Sequence, residues 1–179
     1  MAESFVNSVT RAVGVVTSSS AGAVGVQTNL ITGITTTNVT VGDLVDNSNF
    51  IAGTKVSSIG VNSTTCDRDS TNTTATTSQT VKYLGLTTAY TSASGTKSII
   101  IGGTFANNTT SEVELTVHLY DNSASLTPAI ISKVPVPNGS SFVLSDTGKT
   151  VLEGLDAIRV YCDTANGVDV QLGILKGVS

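Results

Sequence analysis

Tryptophan is absent from this 179-residue chain, and four Tyr and four Phe supply all of its large aromatic surface. A sugar-binding platform, which sets an aromatic face beside Asn or Asp side chains, has little to be built from. Tyr83, Tyr90, Tyr120 and Tyr161 are spread along the sequence without clustering, and read as amphipathic residues at a core edge or a subunit contact. Charge is equally scarce: Asp, Glu, Lys and Arg make up 12% of the residues, well below the share usual in soluble domains. The balance is acidic, a formal net charge of −4, and no Lys or Arg cluster occurs. Nucleic-acid binding, which needs clustered cations to displace counterions from phosphates, is not expected.

Two cysteines, Cys66 and Cys162, are too few and too far apart for a disulfide framework or a zinc cluster, and read as ordinary buried thiols. No window approaches the roughly 18 apolar residues that a membrane span needs. The start, Met1-Ala2-Glu3-Ser4, lacks the charged-then-apolar pattern of an export signal. The expectation is a protein made and kept in a cytoplasm until it assembles, with no membrane partner.

What fills the chain instead is Thr, Ser, Asn and Gly, with enough apolar residues, 39%, for a real core. Stiff β-branched side chains fit a pleated surface, and Gly and Asn supply positive-φ turns. The sequence therefore predicts an all-β protein. Two segments alternate cleanly: Val113, Leu115, Val117 and Leu119 against Glu112, Glu114, Thr116, His118 and Tyr120, and later Val168, Val170, Leu172 and Ile174 against Asp169, Gln171 and Gly173. These are expected to pair within one sheet system. Short apolar runs lie between them, Ser98–Ile101, Ala129–Val136, Ser141–Leu144 and Ala157–Cys162, bounded by the turn sequences Pro137-Asn138-Gly139, Asp146-Thr147-Gly148-Lys149 and Asn166-Gly167. Short strands with regular turns predict an antiparallel β-sandwich for residues 89–179.

Residues 1–88 read as a smaller N-terminal β domain or arm that anchors the protein in an assembly. Candidate strands there are Ala12–Thr17, Ala23–Gln27, Val39–Val45, Thr54–Val61 and Gln79–Leu84, with Cys66–Ser78 as an exposed polar loop. Glu3–Ala12 has a second reading as a short helix, because Phe5, Val9 and Ala12 share a face at helical spacing. Met1–Val26 is the candidate anchor, and the Gly, Ser and Thr-rich stretch Leu86–Lys97 reads as the linker.

Chemistry is sparse. His118, the one histidine, falls on the polar side of its strand with no Gly-x-Ser-x-Gly elbow in the chain, which argues against a Ser-His-Asp triad. Asp67-x-Asp69 with Thr71 and Asn72 alternates oxygen ligands but lacks the central Gly and closing Glu of a calcium loop. Gly148-Lys149-Thr150 and Gly95-Thr96-Lys97-Ser98 each lack the first glycine of a phosphate loop. The Asn-x-Ser/Thr triplets beginning at Asn62, Asn72 and Asn108 are expected by chance and read as unmodified. No catalytic, cofactor-binding or metal residue is assigned, no cofactor is implied, and the chain reads as a non-enzyme.

Several segments taken in order carry a family likeness. They are Ile101-Gly102-Gly103-Thr104-Phe105-Ala106-Asn107-Asn108-Thr109, the strand Val113–Leu119, Lys133-Val134-Pro135-Val136-Pro137-Asn138-Gly139-Ser140-Ser141, Thr150-Val151-Leu152-Glu153, Asp156-Ala157-Ile158-Arg159-Val160 and Val168-Asp169-Val170. From about Gly95 to Val178 the chain resembles the small β-sandwich module of tailed-bacteriophage structural proteins. Val41-Gly42-Asp43-Leu44-Val45, Ile51-Ala52-Gly53-Thr54-Lys55-Val56 and Ile59, with the polar loop and last strand of Ser70–Val81, are similar to a β-rich repeat of phage tail and bacterial surface proteins. These resemblances imply a virion structural protein working through protein–protein contacts, as a head decoration or cement protein or a neck, collar or tail component. The implied partners are further copies of the chain and other virion proteins. The alternative is a receptor- or glycan-binding fibre or adhesin module.

Overall fold

Thr, Val and Ile lose rotamer freedom against a helical turn and pack well on a pleated surface, so a chain built on them goes extended. The computed structural model describes residues 3–14, 16–51, 53–144 and 149–178, and among these there is no helix. The protein is all-β. In chain order the strands of the first half are β1 (Ser4–Val13), β2 (Val16–Val24), β3 (Leu30–Thr32), β4 (Leu44–Asp46), β5 (Val56–Gly60), β6 (Ser63–Cys66) and β7 (Thr76–Leu84). Those of the second half are β8 (Thr87–Thr91), β9 (Lys97–Asn107), β10 (Val113–Tyr120), β11 (Ala129–Val136), β12 (Ser141–Leu144), β13 (Thr150–Leu152), β14 (Ala157–Cys162) and β15 (Val168–Val178). They fall into two units, one of Met1–Val13, Thr87–Cys162 and Asn166–Ser179, the other of Gly14–Leu86 and Asp163–Ala165.

The first unit is a sandwich of two antiparallel sheets. One has the order β1-β15-β9-β12, with β13 also on β9; the other runs β11-β10-β14-β8. Alternation builds the core: Val113, Leu115 and Val117 of β10, and Val168, Val170, Leu172 and Ile174 of β15, are at most 1% exposed. Phe105, Leu152, Val160 and Cys162 complete that cluster. Strand β9 carries one residue more than its partner, since Gly173 pairs with Gly102 and Ile174 with Ile100, and the extra residue is Ile101. Such a bulge re-aims the chain, so inward positions run Ser98, Ile100, then Gly103 and Phe105. Glycine at 103 leaves room for Leu172, whose Cδ2 would stand 2.7 Å from a Cβ there and would have to shift.

The second unit is one sheet of six strands in the order β4-β7-β2-β3-β6-β5. Its two ends meet. Leu44 bridges Lys55, the Val45 N–H donates to the Thr54 carbonyl at 2.8 Å, and the Val56 N–H donates to the Asp43 carbonyl at 2.9 Å. The sheet thereby closes into a small barrel, which pairs part of its two edges. Val24, Ile31, Ile34, Val45, Phe50, Val56, Val81 and Tyr83 belong to its core. The segments Val41–Val45 and Ile51–Val56, singled out above for their resemblance, are the ones that pair across this closure.

Several expectations need correction. Glu3–Ala12 forms no helix, and β1 is not a free anchor: it pairs antiparallel with β15 from Ser4↔Lys176 to Val13↔Val168. A division at 88/89 thus misplaces the N-terminal strand, which belongs with the sandwich. Within Leu86–Lys97, residues Thr87–Thr91 are not linker but the edge strand β8, paired with β14. The two cleanly alternating strands, β10 and β15, lie in different sheets of the sandwich. Only Leu44 and Val45 of Val39–Val45 are strand, as part of β4, and Gln27 lies outside β2 in a positive-φ turn. The polar run from Cys66 is tied down: Cys66 and Ser70 are buried, and Ser70 exchanges bonds with Thr28 at 2.9 and 3.1 Å. Asp146, Thr147 and Gly148 of the turn Asp146-Thr147-Gly148-Lys149, and with them the Gly148 of Gly148-Lys149-Thr150, lie outside the described residues.

Candidate interaction surfaces

Because successive side chains on a strand point to opposite faces, the five-stranded sheet of the sandwich has an outer face as definite as its inner one. The register assembles that face row by row. Phe5 pairs with Leu175, Leu175 with Ile99, and Ile99 with Val151, giving one apolar row across four strands. A second row joins Val9, Gln171, Thr104 and Val143. Between the rows Gly173 pairs with Gly102, and the Ile101 side chain lies over Gly173, 3.3 Å from where a Cβ would be. These apolar groups are open to solvent: Phe5 is 75% exposed, Val9 68%, Val143 54%, Val151 51% and Ile101 41%. Oppositely charged neighbours mark the two ends, where Arg11 lies 3.8 Å from Asp169 and Lys97 3.5 Å from Glu153, and exposed Lys149 stands one position before Thr150, the partner of Ile100.

Sequence reasoning passed over this face, although a signal exists. Ile99-Ile100-Ile101, Phe142-Val143-Leu144 and Ile174-Leu175 are consecutive apolar runs, and a strand apolar on both sides is one covered on both sides.

The other sheet presents a different outer face. His118 pairs with Arg159 and Thr116 with Tyr161 across β10 and β14, so their outward side chains are neighbours. The His118 and Tyr161 rings meet nearly edge-to-face, 5.3 Å apart at 75°, and the Arg159 guanidinium sits 3.7 Å from the centre of the Tyr120 ring. His118 Nδ1 lies 3.1 Å from the Thr127 carbonyl oxygen, which can only accept, so Nδ1 carries the proton. All four side chains are half-buried. Tyr120 and Tyr161 thus share one face with the His118–Arg159 pair between them, whereas Tyr83 is buried in the barrel and Tyr90 bonds Ser98 at 2.9 Å.

The chain matches no family model, no curated protein and no solved structure. The site chemistry therefore rests on geometry alone. The Asp67 carboxylate accepts the Lys55 N–H at 2.8 Å and faces Arg68 at 3.7 Å, a structural use of the first oxygen of the calcium-like run. Among the described residues, no three His, Cys, Asp or Glu side chains converge as a metal site. Cys66 and Cys162 form no disulfide, and each is buried in the core of a different unit. Asn72 donates to the carbonyls of Gly25 and Thr74 at 3.0 and 2.7 Å, and Gly95, at φ +70°, forms a turn closed by Thr96 on Ala93.

A third feature is a groove of about 410 Å³ lined by Ile130, Ile131, Val134, Phe142, Leu144 and Thr150. Its β11 margin is an edge strand carrying Pro135 and a positive-φ Lys133, both of which oppose strand addition.

Proposed function

We propose that this chain is a non-enzymatic structural protein of a tailed-phage virion, built into the particle through protein–protein contacts as a head decoration or cement protein or as a neck, collar or tail component. The observation that carries the reading is the outer face of the five-stranded sheet, a row of Phe5, Leu175, Ile99 and Val151 with Val9, Ile101 and Val143 beside it. Five of these groups are exposed and Ile99 and Leu175 between them are half-buried, and a contiguous apolar surface of this kind marks an association site. Low charge supports it, since broad faces with few charges approach one another without long-range repulsion. The phage-type sandwich pattern from Gly95 to Val178 supplies the choice of particle.

Electron microscopy of tailed particles from the protein's source, labelled with an antibody raised against the chain, tests the proposal. Label at a constant position on the particle is the expected result. Unlabelled particles, with the chain left in the soluble fraction, would overturn it.

The cluster of His118, Tyr120, Arg159 and Tyr161 favours a second reading, a receptor- or glycan-binding module, because it sets two aromatic rings beside polar donors on one open face. Binding to a host surface-glycan panel that Tyr161→Ala abolishes would establish that reading; a flat response across the panel would remove it.

A further inference from the structure

We infer that the outer face of the five-stranded sheet is a two-fold interface between copies of this chain, an inference that rests on the structural reading above and names the partner. Its extent is the first reason. Four strand positions at about 4.8 Å, and two side-chain rows with their flanks spanning about 25 Å along the strands, cover roughly 500 Å² per copy. A pair would bury about 1,000 Å², the floor for a specific protein interface.

Its pattern is the second reason. A two-fold axis running between two such faces, perpendicular to the strands and level with Ile101, reverses the strands of one copy against the other. The Phe5–Leu175–Ile99–Val151 row of each copy then meets the Val9–Gln171–Thr104–Val143 row of its mate, and the two Ile101 side chains meet on the axis. The row richer in large apolar groups is thus set against the row that carries Gln171 and Thr104, so bulk opposes the slighter row in both halves of the contact. Aligned sheets pack about 10 Å apart with side chains interdigitated in this way.

Charge is the third reason. Each end of the face holds its own oppositely charged neighbours, Arg11 with Asp169 and Lys97 with Glu153, so neither end repels a second copy. The choice of a second copy as occupant follows from the rows themselves: along Phe5, Leu175, Ile99 and Val151 a strongly charged partner would find no charge to pair with.

Sedimentation equilibrium of the full chain tests this. The wild type is expected to form a dimer, and Val9→Glu/Val143→Glu, which changes only exposed positions, to weaken that dimer about a hundredfold with an unchanged melting curve. Thr88→Glu, on the other sheet, is expected to leave it intact. Ile101→Cys gives a second measurement: both native thiols are buried, so a short bifunctional maleimide should join two chains through residue 101 alone. A wild type that stays monomeric to hundreds of micromolar, or a dimer untouched by the paired Glu variant and not joined through residue 101, overturns the inference. Constant antibody label on particles in either case would leave the structural reading standing with a different partner on this face.

Discussion

Cys66 and Tyr83 lie in the same barrel core, and burial acts on both in the same direction. Removal from water, followed by the neighbouring Asp67 carboxylate, pushes the Cys66 thiol from 9.0 up to about 12. Tyr83 rises from 10.0 to about 12, again mainly through burial, against the opposing hydrogen bond from Thr64 and with a smaller push from Cys66. In the unfolded chain both groups lose their protons at the ordinary values, whereas the folded barrel holds them higher. Between those limits the unfolded state binds fewer protons, so stability is complete below the unfolded value and falls as pH rises toward the folded one. Denaturant unfolding of the barrel under reducing conditions should therefore show a stable plateau through neutral pH and a decline that begins near 9.0. Cys66→Ala lowers the plateau, because it leaves a small cavity, and delays the decline to near 10.0, where Tyr83 takes over. Parallel curves for the two proteins would show that the thiol is not the titrating group.

At the scale of elements, β1 teaches why some strands were legible and others were not. Strands β10 and β15 declare themselves because Val, Leu and Ile occupy every inward position. In β1 the outward positions hold Phe5 and Val9, while the inward ones include Ser8 and Thr10, whose hydroxyls donate to the Ala89 carbonyl of β8 at 2.8 and 3.4 Å. A spacing of four is shared by a helical face and by every second turn of a strand's alternation, so Phe5 and Val9 fit both patterns. Only the cross-strand partners decide, and those are non-local. The bulge at Ala12, with φ near +58° and its N–H bonded to Asp169 at 2.8 Å, hides the strand's end in the same way. Strand β8 escaped notice for a related reason: its inward contribution is Ala89 and Tyr90, too small and too polar to stand out in a Thr-rich run. The aromatic–cation cluster was equally invisible, since His118 and Arg159 become neighbours only through the β10–β14 register. Hydrogen exchange measures the status of β1 directly. The amides it bonds to β15 should exchange slowly, with opening free energies close to those of β15, because both strands open with the sandwich. Exchange of the whole segment at the rate of a free peptide would make it a peripheral arm instead.

On the scale of the whole molecule, two apolar clusters of unequal size share no residue, with seventeen buried side chains in the sandwich and ten in the barrel among the described residues. Smaller cores bury a smaller fraction of the surface their chains expose when unfolded, so the barrel has the narrower margin against conformational entropy. Its closure offsets part of that, by pairing edges that would otherwise stay open. Two transitions are expected in calorimetry of the full chain, the barrel melting first. Ile31→Ala, at a position fully buried in the barrel, should lower the first transition by the equivalent of about 2–5 kcal/mol and leave the second in place. Leu115→Ala, fully buried in the sandwich, should do the reverse with a similar magnitude. If both substitutions move one common transition, the two clusters unfold as a single cooperative body, and the sandwich could not be studied as an assembly module apart from the barrel.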